Sequence, residues 1–242
     1  MRCLLRQDAC APQDALPRGS NGCATGAPGS LLLAVFLIFF AAAPAAARPE
    51  QEGTAASSSA EQGERSGRRS TGRFLAGAAL AFGAHEAAHL AFDVLFDAEP
   101  RLVPVNFHGI PFFAITHRGD LPPRQRFTIA SSGFWIQHAG SEWILTRQPR
   151  LREQRSPLRK GVLAFNVIAS AAYAGAAFAR TGPLERDTRG MAEAARLDER
   201  AVGVMILAPA ALDAIRYFQP EARWAVWVSR GVKVGLVLLV IR

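Results

Sequence analysis

The chain has 242 residues, half of them hydrophobic, and its 28 Lys and Arg against 20 Asp and Glu give a formal net charge of +8. Those averages would suit a soluble basic domain, but the sequence is segregated: apolar runs at 31–47, 74–96, 161–179, 201–215 and 223–241 alternate with Arg-rich connectors. Runs of that length exclude a plain soluble basic domain and make a small polytopic membrane protein the expected class. Nucleic-acid binding is not expected, because the Arg residues flank apolar spans, where the preference for positive loops in the cytoplasm accounts for them.

All three cysteines, Cys3, Cys10 and Cys23, stand in the leader, so the rest of the chain has no disulfide framework and no thiolate metal ligand. The apolar 31–43 segment ends in Ala45-x-Ala47 before Arg48, the small-residue pattern of a signal-peptidase site. Residues 1–47 therefore read as a signal peptide or an N-terminal anchor. Residues 48–73 have no aliphatic side chain larger than Ala and no aromatic, and read as a flexible tether. Residues 74–242 are expected to be the membrane-embedded part.

The stretch 74–96 is long enough to span a bilayer as a helix, and its strongly polar members are His85, Glu86, His89 and Asp93. Five prolines between 100 and 123 predict extended segments and turns. Residues 127–145 are more polar and are expected to enter the membrane without crossing it. Residues 146–160 carry six positive charges against Glu153, 161–179 is rich in Ala and Gly, and 180–200 balances five charges of each sign as a short surface helix. The spans 201–215 and 223–241 follow, joined at Pro220. The expected fold is an all-α integral membrane bundle of about four transmembrane helices, with a re-entrant or extended segment after the first. With 127–145 not crossing, all of 97–160 and its ten Lys and Arg lie in the cytoplasm. The expected location is the inner cell membrane, multi-pass, with the lipid bilayer as partner.

His85-Glu86-Ala87-Ala88-His89 is H-E-x-x-H within a predicted helix. The i, i+4 spacing puts both imidazoles on one helical face, where they can share a metal ion, and Glu86 beside them can take a proton from water. Zinc suits such a site because it makes hydroxide available near neutral pH. A hydrolytic zinc site usually takes a third protein ligand, and a His six residues after His89 is absent, since Leu95 stands there. The third ligand must come from elsewhere. Ionisable groups in a spanning helix are costly and point to function. Asp93, one turn beyond His89, could accept a hydrogen bond from its imidazole or be a helix-end charge. Asn166 could support a substrate carbonyl or make an ordinary interhelical hydrogen bond, and Gln137 has the same two readings. His108, His117 and His138 read as loop or interfacial side chains, and Arg230 and Lys233 as lining an interhelical contact or reaching toward the interface.

H-E-x-x-H in an apolar helix, then a Pro-rich segment, then a late apolar helix with Leu-Asp resembles the site-2 protease family of intramembrane zinc metalloproteases. That family's second motif is close to L-x-P-x-x-x-L-D-G-G-R. Here Leu207, Pro209, Leu212, Asp213 and Arg216 echo it, while Ala214-Ile215 replaces Gly-Gly. A further family segment, S-P-x-x-E-x-x-I-x-x-A-G-P-x-x-N, is similar to 121–137, with Gly133 kept, Phe134 for Pro and Gln137 for Asn. The resemblance implies that Asp213 is the third zinc ligand, that 102–113 can hold extended substrate by strand addition, and that the reaction is hydrolysis of a membrane-spanning protein or peptide. It also implies that the helices carrying H-E-x-x-H and Leu-Asp run in the same direction. The alternatives are a membrane metal-binding or scaffold protein without turnover, and a membrane zinc hydrolase acting on a lipidated substrate.

Overall fold

The computed structural model describes the backbone of residues 57–107 and 110–241. The cysteines, the signal segment, residues 48–56 and His108 lie outside it. Among the described residues the chain forms six helices and one hairpin: α1 (Ser57–Leu95), β1 (Arg101–Phe107), β2 (Ile110–Thr116), α2 (Pro123–Arg147), α3 (Pro157–Ala179), α4 (Asp187–Ala195), α5 (Glu199–Phe218) and α6 (Arg223–Ile241). Two of them, α3 and α5, are long and apolar enough to cross a membrane.

The first helix is longer than its apolar part. Residues 57–73, expected as a flexible tether, continue α1 for several turns. Residues 65–73 are exposed. Without a proline to stop it, helix propagates outward from the apolar 74–96 stretch, because each added residue gains a hydrogen bond without a new nucleus. After Leu95 the chain turns through Asp97 and Glu99, both at positive φ, and Pro100 ends any further helix. The Pro-spaced segment forms an antiparallel hairpin, Arg101 opposite Thr116 and Phe107 opposite Ile110.

Residues 127–145 lie within the helix α2. It is continuous, with Pro123 in its first turn, where the missing N–H costs nothing. Its two ends lie at opposite ends of the bundle. At one end, Arg118 donates to the Ala98 carbonyl. At the other, Arg150 pairs with Glu221 at 2.7 Å, and the first turns of α3 meet α1 so closely that a Cβ on Gly77 would collide with the Leu158 carbonyl, and one on Gly161 with the Phe74 carbonyl. Thus 97–122 and 180–198 share one end, and 65–73, 148–156 and 219–222 share the other. The helical segments 74–96 and 201–215 therefore run in opposite directions, not the same one.

Small apolar clusters hold the packing. Ala130, Phe134, Met191, Ala192, Val202 and Ile206 join α2, α4 and α5. Ile144, Leu145, Leu151 and Leu163 close the other end. The last helix is tied mainly by charge: Lys233 donates to Asp213 at 2.7 Å and to Glu142 at 3.0 Å, while Arg230 reaches Glu142 at 2.9 Å.

Candidate metal centre

His85 and His89 occupy one face of α1, and both are buried. Their Nε2 atoms lie 3.1 Å apart. The Asp187 carboxylate, on the first residue of α4, brings Oδ2 to 3.4 Å from His85 Nε2 and 3.6 Å from His89 Nε2. The buried His85–His89–Asp187 group can bind a metal ion, with one ligand atom from each residue and all three atoms within 4.8 Å of one another.

The surroundings fix which atoms are offered. His89 Nδ1 is 2.8 Å from the Ile129 carbonyl. A carbonyl can only accept, so the proton is on Nδ1 and the Nε2 lone pair faces Asp187. Backbone carbonyls commonly orient metal-binding imidazoles in this way. Tyr173 stacks on the His85 ring at 6.0 Å, and Phe134 meets it edge-on at 5.3 Å. Gly133 lies directly beneath the ring, and any Cβ there would overlap the imidazole. Three ligand atoms separated by 3.1–3.6 Å match a tetrahedral ion: bonds of about 2.0–2.2 Å set neighbouring ligands about 3.3–3.6 Å apart. The donor set fits a small divalent cation.

The position of Asp187 follows from the corner between α3 and α5. Arg186 makes a two-pronged ion pair with Glu199, both bonds at 2.7 Å, and donates to the Pro183 carbonyl at 2.9 Å. Thr188 adds a hydrogen bond to Glu199 at 2.8 Å. Gly190 lets α4 settle against Ala130. These contacts leave Asp187 facing inward.

Glu86 and His89 line a cavity of about 520 Å³ together with Asp187, Tyr173, His117 and the β2 residues Phe113–Ile115. The cavity provides room for a substrate beside the ligand group.

Other sequence expectations fall elsewhere. Asp213 is not the third member of the histidine group in this structure. Its Oδ1 accepts from Lys233, from Ser229 at 3.1 Å, and lies 3.5 Å from Arg216. The reversed direction of α5 explains this. Gly133, beneath His85, and Glu142, in the Asp213 network, are nine residues apart on α2, which is about 13 Å along the helix. Asp93 does not reach His89, whose Nδ1 is already taken. It is fully buried and faces His117 Nδ1 at 3.7 Å. Asn166 donates to the Gln137 carbonyl and to Ser141, both at 3.0 Å, which is the interhelical reading. The Gln137 side chain is buried without a hydrogen-bond partner. Neither Asn166 nor Gln137 lines the cavity.

Fold and site together define a helical bundle carrying a candidate His–His–Asp metal centre. No family model, no curated protein and no solved structure matches this chain.

Proposed function

We propose that the chain is an intramembrane zinc endopeptidase that hydrolyses peptide bonds of membrane-spanning substrates, similar in chemistry to the site-2 protease family. The observation that carries this reading is the grouping of His85, His89 and Asp187 beside a cavity that His89, Asp187 and Glu86 line. In this reading α1, α2, α3 and α5 cross the bilayer of the cell membrane. His85, His89 and Asp187 would hold a zinc ion, which would supply Lewis acidity and lower the pKa of water to roughly 7. Glu86 takes a proton from the attacking water as the oxygen adds to the scissile carbonyl carbon. It returns that proton to the leaving nitrogen as the C–N bond breaks. Packing of His85 against Phe134 and Tyr173 keeps its geometry rigid. The free edge of the hairpin beside the cavity suits an extended peptide, since a helical substrate hides its carbonyls.

The test is zinc content and cleavage of a membrane-spanning reporter peptide in proteoliposomes. Glu86→Gln should keep stoichiometric zinc and lose turnover by about a thousandfold. Wild-type turnover in that variant overturns the mechanism. The ion-paired state of Asp213 favours a second reading, a membrane metal-binding protein without turnover. Zinc bound by a wild-type chain that cleaves no reporter carries that second reading.

A further inference from the structure

A second cavity, of about 860 Å³, opens at the end of the bundle remote from the metal centre. Five cationic side chains line it, Arg65, Arg69, Arg73, Arg155 and Lys160, against the single carboxylate of Glu153. Arg65, Arg69 and Arg73 recur every fourth residue, so they share one face of α1. Arg155 and Lys160 bracket the start of α3, where the unpaired N–H groups and the helix dipole add positive potential. Ser156 at that start makes no side-chain cap. Immediately beyond the cleft both helices become apolar. Phe74, Leu75 and Leu158 are exposed there, and Gly77 and Gly161 bring the two backbones into contact.

We infer that this cleft binds the phosphate headgroup of an anionic glycerophospholipid, whose acyl chains lie along the apolar surfaces of α1 and α3. Guanidinium forks pair with phosphate oxygens in two-pronged geometry. Basic pockets between spanning helices at headgroup level are where acidic lipids are held. The change from charge to apolar side chains between Arg73 and Phe74, and again between Lys160 and Gly161, sets the cleft at that level. The inference rests on the bilayer placement proposed above, and not on peptidase activity.

The full chain is reconstituted in nanodiscs of phosphatidylcholine, or of phosphatidylcholine mixed with phosphatidylglycerol, and its unfolding midpoint is measured. The anionic mixture should raise the midpoint by about 5 °C, and native mass spectrometry should show retained phosphatidylglycerol. Both effects should vanish in the Arg69→Glu, Arg73→Glu, Arg155→Glu triple variant. They should survive Arg189→Glu with Arg196→Glu at the other end of the molecule. If the triple variant does not fold, Arg73→Gln and Arg155→Gln should each reduce the gain. An equal gain in the cleft variants overturns the proposal. So does an equal gain from inorganic phosphate added to phosphatidylcholine discs, which would mark a free-anion site. A wild-type chain that inserts into neither disc overturns the bilayer placement itself; insertion without a lipid-specific gain overturns only the lipid site.

Discussion

Asp187 and Asp213 are both inward-facing carboxylates, but only Asp187 meets the histidines. The difference is measurable as metal content. Asp187→Ala should lower zinc affinity by more than about a hundredfold, beyond what loss of a supporting contact costs, while Asp213→Ala should leave it unchanged. Full zinc in purified Asp187→Ala protein, or its loss from Asp213→Ala, reverses the assignment. Gly133 gives an independent check. A methyl group there overlaps the His85 imidazole, so the ring must rotate out of line with His89. Gly133→Ala should keep its helical circular dichroism while zinc affinity drops by about ten- to a hundredfold. His85, Glu86 and His89 were legible in the sequence because i, i+4 geometry is local and needs no tertiary information. Asp187 was not, because its connector reads as an ordinary charged surface helix. The usable signal was indirect: once 127–145 runs the length of the bundle, 180–198 lies at the same end as the end of α1.

At the level of elements, charge does for α6 what apolar packing does for the other helices. Asp213 is buried and Lys233 nearly so, with side chains 1% and 12% exposed. Removing one partner leaves an uncompensated charge, so Lys233→Met should destabilise the bundle by about 3 kcal/mol. Asp213→Leu combined with Lys233→Met should recover much of that loss, because the pair is then replaced by apolar groups of similar volume. Denaturant unfolding of the single and double variants measures the difference. An additive double variant would remove the ion pair from the account of how α6 is held. The sequence offered Asp213 a plausible ligand role through its Leu-Asp setting, and offered Lys233 an interhelical one. Their partnership across two helices was invisible without the direction of α5. The extended hairpin after α1 was readable from its prolines, whereas the helical 57–73 was not, since composition alone cannot show helix propagating from a neighbouring segment.

For the whole molecule, α2 running the length of the bundle redistributes the charge between its two ends. Residues 65–73, 148–156 and 219–222 carry four, three and no Lys or Arg against two carboxylates, Glu153 and Glu221, while 97–122 and 180–198 carry two and four against three and four carboxylates. Under the bilayer placement proposed above, the more basic first end is expected in the cytoplasm. His85, His89 and Asp187 then lie toward the opposite face, whereas the arrangement with 127–145 not crossing had set them in the cytoplasmic half. In that orientation the basic cleft would face the inner leaflet, as the proposed anionic-lipid site requires. Single cysteines at Arg69, Gln154, Asp120 and Glu185, in a chain with Cys3, Cys10 and Cys23 replaced by Ser, test it with a membrane-impermeant maleimide. Intact cells should label positions 120 and 185, and inverted vesicles 69 and 154. Labelling of 120 and 154 from the same face would mean that α2 does not cross, and the proposed transmembrane arrangement would fall with it.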